Sequence, residues 1–203
     1  MKIAVIGASG NAGSRITAEL ARRGHGVTAI ARHPEKIAAQ ANVTPARGDV
    51  MDQAGLAQLL AGHDAAISSV HFLASDPAKL IGAAKESKVG RYLVVGGAGS
   101  LEVAPGVRLV TTPGFPVAYK AEAEKGAAFL DLLRAETELN WTFLSPSALF
   151  TAGERTGKFR LGNDQLLTAA DGKSSISFED FAVALADEIE RPAHIRQRFT
   201  VGY

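Results

Sequence analysis

Short apolar runs alternate with segments of helical spacing along most of the chain. The run from Lys2 to Gly7 is continuous and rich in β-branched residues, which is typical of a strand buried on both faces of a parallel sheet. The next segment, Ala12 to Arg23, places Ile16 and Leu20 on one helical face, and Gly24 after it is a common stop signal. The chain is therefore predicted to begin with a strand and a helix.

The same alternation continues along the chain. Further strands are predicted at 26–32, 42–47, 64–70, 91–96 and 141–144. Further helices are predicted at 34–39, 52–62, 77–88 and 119–137. Strands and helices in this order predict an α/β fold, a doubly wound parallel sheet of the Rossmann-like kind with helices on both faces.

The pattern changes in the last quarter of the chain. Residues 158–161 and 165–169 flank a turn-forming Gly-Asn-Asp and predict an antiparallel hairpin. Ser177 begins a capped helix, and 198–203 is a final strand. We expect residues 1–203 to form a single domain, in which a small β-hairpin/helix extension at about 151–203 completes a substrate cleft.

The strongest signal is the segment Gly7-Ala8-Ser9-Gly10-Asn11-Ala12-Gly13, between the first strand and the first helix. Gly7 permits a tight turn, Gly10 lets the backbone approach a diphosphate, and Gly13 lets the helix pack closely on the strand. Unpaired amides and a positive dipole at the start of the helix favour phosphate. The G-x-x-G-x-x-G spacing resembles that of the short-chain dehydrogenase/reductase superfamily. The residues expected to hold a dinucleotide here are Gly7, Ser9, Gly10, Asn11, Ala12 and Gly13.

The end of the second strand indicates which dinucleotide binds. No carboxylate stands there to accept from a ribose 2′-OH, and Arg32 occupies the position instead. A guanidinium can pair bidentately with a 2′-phosphate, so we expect NADP(H) to be preferred over NAD(H), a solvated surface arginine being the alternative. Asp49, a turn residue or an adenosine contact, also belongs to the expected cofactor site. The other expected contacts in this region are Val50, Ser69 and Val70.

The fifth strand ends at Gly96 and Gly97, on the sheet edge where ligands of α/β proteins bind. Ser100 is a candidate to hydrogen-bond a substrate carbonyl, or an ordinary serine in a turn. Tyr119 and Lys120 are candidates for the proton donor of the superfamily and its cationic neighbour. They are adjacent, and would point about 100° apart on a helix, so the Tyr-x-x-x-Lys pairing of the superfamily is absent.

Composition excludes several classes of protein. Lys and Arg number 22 and Asp and Glu 21, a balance that gives no reason to expect a nucleic-acid partner. Without cysteine, disulfides and thiolate catalysis are excluded. The five histidines have no metal-ligand spacing. His71 follows the fourth strand, and a solvated loop residue is favoured there over the alternative of a residue that faces the cleft. No apolar run approaches the roughly 18 residues of a membrane span, and without a signal-peptide pattern we expect a cytoplasmic protein.

The chain resembles the NmrA-like NAD(P)-binding proteins among the atypical short-chain dehydrogenases/reductases, in particular the group named NADH-flavin reductases. This resemblance covers nearly the whole chain, and its motifs include Trp141 to Pro146 and Gly153-Glu154-Arg155-Thr156-Gly157. The other matching stretches are Gly7 to Gly13, Gly48 to Asp52, Gly96 to Leu101 and Pro113-Gly114-Phe115-Pro116. The resemblance implies hydride transfer from a reduced nicotinamide to a flavin or a similar acceptor.

Three functions follow as hypotheses. The first is an NAD(P)H-dependent reductase of a flavin or quinone, whose anionic product can take its proton from water and needs no dedicated strong acid. In that case the long connection 97–118 and the C-terminal hairpin are expected to cover the cleft. The second is a non-catalytic NADP(H) sensor, and the third a reductase or epimerase of a small carbonyl or sugar-type substrate. The expected partner is a small-molecule acceptor, and a homodimer is compatible with the sequence.

Overall fold

The computed structural model describes residues 1–203. Its strands are β1 Lys2–Ile6, β2 Gly26–Ala31, β3 Val43–Arg47, β4 Ala65–Ser68, β5 Arg91–Val95, β6 Glu102–Ala104, β7 Val107–Arg108, β8 Trp141–Pro146, β9 Leu149–Thr151, β10 Arg160–Gly162, β11 Ser175–Ser177 and β12 Gln197–Gly202. Its helices are α1 Asn11–Arg22, α2 Gln53–Leu60, α3 Pro77–Ser87, α4 Val117–Ala135 and α5 Phe178–Glu190. None of these helices has both the length and the apolar character that crossing a bilayer requires.

Eight strands form one sheet in the order β10-β12-β8-β5-β4-β1-β2-β3. Every neighbouring pair is parallel except β10 and β12, which are antiparallel. The predicted doubly wound parallel sheet is therefore confirmed. The chain runs from β1 outwards to β2 and β3 and then returns to β4 on the other side of β1, which creates the switch point where ligands of such sheets bind.

Each face of the sheet carries its own apolar core. On one face α1 and α5 pack together, with Leu20 and Phe181 fully buried among strand residues such as Val5. On the other face α2, α3 and α4 cover the sheet, with Leu56 and Phe129 fully buried. Strands that are buried on both sides explain why the apolar runs in the sequence are continuous rather than alternating.

The predicted C-terminal hairpin is wrong in its pairing. Strand β10 does not pair with residues 165–169; it pairs with β12, with Leu161 opposite Val201. Residues 149–151 and 175–177, which the sequence pattern did not identify as strands, form the parallel pair β9–β11. The extension therefore joins the edge of the main sheet through β10 and β12, and β9 and β11 form a separate two-stranded sheet.

The connection between β5 and α4 is also more ordered than its sequence suggests. It contains the antiparallel pair β6–β7 and two short 3-10 turns, Ala98–Ser100 and Leu109–Thr111. Arg108 in this segment forms an ion pair with Asp131 of α4, at 3.1 Å. The segment packs against α4 and does not line the cleft described below, so the expectation that it covers the cleft is wrong for this structure.

Candidate functional site

A cleft of about 730 Å³ lies at the carboxyl ends of the central strands. Its walls come from the turn between β1 and α1, the segments that follow β2, β3, β4 and β5, the start of α4, and two aromatic residues of the C-terminal part. The volume is within the range of about 300–1,000 Å³ that is typical of small-molecule sites.

The β1–α1 turn is built on close approach of backbone to backbone. Gly7 has a φ of +82°, and a Cβ there would lie 2.1 Å from the carbonyl oxygen of Ser69. A Cβ on Gly13 would lie 2.2 Å from the carbonyl oxygen of Gly7. Both positions therefore require glycine, because any side chain would push the first turn of α1 away from β1 and β4.

The start of α1 presents free amides to the cleft. No side chain caps the helix, and the first helix N–H with a backbone acceptor is that of Ser14, which donates to the Gly10 carbonyl at 2.9 Å. The N–H groups of Asn11, Ala12 and Gly13 consequently have no protein partner. A Cβ on Gly10 would meet only the Gly7 carbonyl, at 3.2 Å, so this side of the turn is open. Unpaired amides at a helix start are the donors that a diphosphate requires, so the turn fits the predicted ligand.

Two cations without ion-pair partners line the cleft beyond β2. Arg32 and Lys36 both line it, and neither takes part in a salt bridge. Between them in sequence, His33 hydrogen-bonds Glu35 with 3.1 Å between Nδ1 and Oε1. A backbone hydrogen bond, and after it the hydrogen bond from the imidazole, lowers the pKa of Glu35. Lys36 was not singled out from the sequence because it follows the strand end by five residues, and a short 3-10 turn returns it to the cleft.

Asp49 and Ser69 line the cleft and also form hydrogen bonds that stabilise the backbone around it. One oxygen of the Asp49 carboxylate accepts the Met51 N–H at 2.9 Å, so the predicted turn role is present and one oxygen remains without a protein partner. The Ser69 N–H donates to the Ile6 carbonyl at 2.8 Å, which extends the pairing between β4 and β1 into the cleft. The floor of the cleft is thus continuous with the sheet.

At the opposite end of the cleft, Glu122 joins α4 to the segment after β4. Its Oε1 accepts the Phe72 N–H at 2.7 Å, and its Oε2 accepts the Leu73 N–H at 2.9 Å. The Nδ1 of His71 lies 3.3 Å from Oε1. Tyr119, one helical turn before Glu122, also lines the cleft and is 67% exposed. Sequence reasoning missed Glu122, whose partners lie about fifty residues away.

Aromatic rings form the apolar walls at this end. Phe72 stacks on Phe143 with 6.5 Å between centroids, and Gly96 permits this because a Cβ there would lie 2.2 Å from the Phe143 ring. Phe150 of β9 meets the edge of Phe178, at the start of α5, with 4.6 Å between centroids. The C-terminal part of the chain therefore contributes a wall to the cleft through these two rings.

The structure brings most of the sequence-predicted cofactor residues together. Those that line the cleft are Gly7, Ser9, Gly10, Asn11, Ala12, Arg32, Asp49, Val50, Ser69, Val70 and Gly96. Gly13 lies beneath the turn, and Gly97 lies behind Gly96, where a Cβ would be 3.7 Å from the Phe72 ring.

Of the three candidate catalytic residues, only Tyr119 lines the cleft. Ser100 is buried, and its hydroxyl lies 3.3 Å from Nη1 of the buried Arg198, behind the ends of β5 and β8. Lys120 is exposed on the next face of α4 and does not line the cleft. Ala123, where the superfamily pattern has lysine, is packed so closely that a Cβ on Gly99 would lie 2.7 Å from its own. The structure therefore places the expected serine and lysine outside the cleft.

Glu19 is the buried anchor for the segment that leads away from β9. It is 5% exposed and accepts hydrogen bonds from Arg22, Arg23 and Arg155, the last at 2.8 and 2.9 Å. Burial acts to raise the pKa of Glu19, but the hydrogen bonds from the three guanidinium groups outweigh it and hold that pKa well below its ordinary value. The carboxylate thereby fixes Arg155 to α1.

Asp180 holds the other half of the same segment, Gly153–Gly157. The carboxylate is fully buried and accepts the Thr156 hydroxyl at 2.5 Å, the Gly157 N–H at 2.7 Å and the Tyr203 hydroxyl at 2.9 Å. The family motif Gly153-Glu154-Arg155-Thr156-Gly157 therefore has a structural role, since buried carboxylates hold it in place. It connects β9 and α5, the two elements that supply Phe150 and Phe178.

Comparison with known proteins gives consistent results. A family model described as NAD(P)H-binding matches residues 7–192. The uncharacterized protein YwnB of Bacillus subtilis is 41% identical over 211 residues, which cover 99% of this chain and 98% of that protein.

Two solved structures share both sequence and fold with this chain. One, from Bacteroides thetaiotaomicron and named a putative epimerase, is 39% identical with a TM-score of 0.95, covering 100% of this chain and 96% of that one. The other, from Streptococcus pneumoniae and named a putative NADH-flavin reductase, is 39% identical with a TM-score of 0.86, covering 100% of this chain and 99% of that one.

Proposed function

Because the chain belongs to the NAD(P)H-binding family, among the atypical NmrA-like short-chain dehydrogenases/reductases, we propose that it is a reductase using NADPH as reductant and a flavin or quinone as acceptor. The observation that carries this proposal is the set of unpaired amides at the start of α1, next to two cations without ion-pair partners in the same cleft. The first feature suits a diphosphate, and the second suits a further phosphate on the adenosine ribose.

The preference for NADPH over NADH rests on charge. The 2′-phosphate carries negative charge where NADH has a hydroxyl, and Arg32 and Lys36 are the cleft residues able to pair with it. A free 2′-hydroxyl would need a carboxylate directly after β2, and no such residue lines the cleft there. Glu35 is hydrogen-bonded to His33 and does not line the cleft. The related Streptococcus pneumoniae protein is named for NADH, so the preference is a proposal for this chain alone.

The remaining cofactor residues act mainly through their backbone. Ser9 and Asn11 add side-chain donors beside the amides, and Asp49 keeps one carboxylate oxygen for the adenosine. The residues proposed to hold the dinucleotide are Gly7, Ser9, Gly10, Asn11, Ala12, Arg32, Lys36, Asp49, Val50, Ser69, Val70 and Gly96. With its adenosine end at β2 and β3, a bound dinucleotide has its reactive ring towards β5 and α4.

A flat acceptor suits the end of the cleft that Tyr119 and Glu122 line. The bound NADPH supplies a hydride there. The contribution of the protein is to hold two flat rings in contact and to exclude water, and the apolar walls include Phe72, Phe150 and Phe178. The lack of a Tyr-x-x-x-Lys pair agrees with an acceptor whose anionic product is delocalised over a ring system.

A second candidate is reduction or epimerisation of a small carbonyl or sugar-type substrate. The observation in its favour is that Tyr119 lines the cleft and has its side chain exposed. A tyrosine hydroxyl is a suitable proton donor for an alkoxide, and the similar Bacteroides thetaiotaomicron protein is named a putative epimerase.

The test is turnover with defined acceptors. The purified protein is mixed with NADPH and, separately, with FMN, FAD, menadione and a panel of aldehydes, while the loss of reduced-nicotinamide absorbance is followed. Oxidation with a flavin or quinone supports the proposal. Turnover of aldehydes alone, abolished in Tyr119→Phe, supports the second candidate. Tight NADPH binding in calorimetry without turnover of any acceptor would assign the chain to NADP(H) sensing instead.

A further inference from the structure

His71 and Glu122 form a histidine–carboxylate pair that the sequence did not reveal, and it lies at the acceptor end of the cleft. We propose that His71 donates the proton that the reduced acceptor requires, and that Glu122 is the positioning residue that fixes its imidazole. This inference rests on the proposed function, since it concerns the acceptor half of that reaction.

The carboxylate of Glu122 is held by two backbone N–H groups. Phe72 and Leu73 donate their N–H groups to its two oxygens at 2.7 and 2.9 Å, so the carboxylate cannot rotate away from the segment after β4. Its side chain is 27% exposed, whereas that of His71 is 88% exposed. The exposed imidazole is therefore hydrogen-bonded at one nitrogen to a carboxylate that the backbone holds in place.

The geometry of the pair sets the role of each ring nitrogen. A carboxylate only accepts hydrogen bonds, so Nδ1 of His71, at 3.3 Å from Oε1, carries a hydrogen and donates a hydrogen bond to Glu122. Nε2 is then the nitrogen that is free to give or take a proton, and no protein group is bonded to it. The same arrangement is found in catalytic histidines whose ring is oriented by a neighbouring side chain, the part that Glu122 has here.

The other side chains at this end do not compete strongly for the role. Ser100 and Lys120 lie outside the cleft, as described above, and the oxygens of Glu122 are already engaged. Tyr119 is the remaining side chain with a transferable proton at this end, and its hydroxyl is not among the groups hydrogen-bonded to the Glu122 carboxylate. His71 is thus the proton-bearing side chain at this end whose ring is oriented by a hydrogen bond to a carboxylate.

The step balances with a reduced nicotinamide as the reductant. A hydride, which carries two electrons, adds to a quinone and leaves one anionic oxygen. Nε2–H of the imidazolium gives its proton to that oxygen, and an O–H bond forms as the N–H bond breaks. The neutral imidazole keeps its Nδ1–H bond to Glu122 and regains a proton from water, to which it is exposed.

The experiment compares His71→Asn and Glu122→Gln with His33→Asn, the same change in the histidine at the other end of the cleft. With menadione and saturating NADPH, His71→Asn is expected to lower kcat at least about 10-fold, which is less than general acids usually contribute because water competes as a donor. Its dissociation constant for NADPH is expected to stay within about 2-fold of the wild-type value. His33→Asn is expected to act on the KM for NADPH rather than on kcat.

A second readout does not depend on turnover. Long-range ¹H–¹⁵N spectra of the protein without added ligands report which ring nitrogen of His71 carries the proton. We expect Nδ1 to carry a proton in the wild type and the neutral ring to be a mixture of Nδ1–H and Nε2–H tautomers in Glu122→Gln, with His33 unchanged. A structural role alone would not change the tautomer of His71 while leaving the NADPH affinity intact.

Each outcome decides between the inferences. A wild-type kcat in His71→Asn, or a His71 tautomer that is insensitive to Glu122→Gln, overturns the role of the pair while the proposed function stands. A loss of kcat in Tyr119→Phe but not in His71→Asn assigns the proton to Tyr119 and overturns it as well. If none of the flavins or quinones offered supports NADPH oxidation by the wild type, the proposed function fails and this inference fails with it.

Discussion

The two ends of the cleft each hold a histidine beside a glutamate, but the two pairs are built differently. His33 and Glu35 are two residues apart on one short turn, and their side chains are both about 60% exposed. His71 and Glu122 are 51 residues apart, and Glu122 also binds two backbone amides. The first pair is a local surface contact, whereas the second joins α4 to the end of β4.

The surroundings of the pairs differ in the same sense. Near His33 the cleft contains the unpaired cations Arg32 and Lys36, which suit a charged ligand group. Near His71 it contains aromatic rings and Tyr119, which suit a flat and largely apolar one. One cleft therefore combines an electrostatic end, where binding is decided by charge, with a packed end, where geometry matters most.

The largest effect is expected from a change between the two ends, at Gly7. In Gly7→Val the new Cβ would collide with the Ser69 carbonyl in a backbone conformation that β-branched residues avoid. We expect a loss of about 3 kcal/mol or more in the free energy of unfolding, measured by urea denaturation. NADPH binding should disappear in calorimetry even at temperatures where the variant is folded. A variant with wild-type affinity would contradict the assignment of this turn to the diphosphate.

The next effect separates the wall of the packed end from the electrostatic end. Glu19→Gln leaves Arg22, Arg23 and Arg155 without their shared carboxylate, and breaking a buried ion pair of this kind costs about 3 kcal/mol. Because Arg155 anchors the segment behind Phe150, turnover should suffer, while binding of 2′,5′-ADP should not. Equal losses in both would contradict the separation.

The same variant has a defined pH dependence. Because the pKa of Glu19 is lower in the folded protein than its ordinary value of 4.5, its ion pairs stabilise the fold above that pH. This stabilisation is lost as the pH falls through the folded pKa. The difference in Tm between the wild type and Glu19→Gln should therefore be largest near neutral pH and should shrink below about pH 4.5. A difference that grows on acidification would have the wrong sign.

The electrostatic end is tested by removing its guanidinium. Arg32→Ala should weaken NADPH binding by about 10- to 100-fold, since a charge-assisted hydrogen bond contributes about 1.5–3 kcal/mol. NADH affinity should hardly change, because NADH has no 2′-phosphate to lose a partner. Lys36→Met is the companion variant and should show a smaller loss of the same selectivity. Equal losses for both coenzymes would place Arg32 elsewhere in the site.

The sequence predicts the electrostatic end better than the packed one, for a physical reason. The glycine turn and Arg32 depend on local order along β1, α1 and β2, which apolar runs and glycine spacing encode directly. Glu122 and its partners meet only because α4 returns across the sheet, and no local pattern shows that contact.

The errors in the prediction have the same origin. Ser100 follows β5 as expected, but its hydroxyl lies beside the buried Arg198, a side chain that comes from the last strand and also binds Asp164. Strand β10 has three residues and pairs with β12 rather than with residues 165–169, which follow it in sequence. In so short a strand, tertiary packing decides the pairing. The continuous strands, in contrast, were identified because burial on both faces leaves an unambiguous run.

The smallest effect compares the two glutamates directly. In Glu122→Gln the new amide NH₂ group must face either the Phe72 or the Leu73 N–H, so one backbone donor loses its acceptor. We expect Tm to fall by about 2–6 °C, which corresponds to about 1–2 kcal/mol in a chain of this size. Glu35→Gln removes a carboxylate that is exposed to solvent and is expected to leave Tm unchanged. Scanning calorimetry of both variants provides the comparison, and equal shifts would mean that the pair at the packed end is no more than a second surface contact.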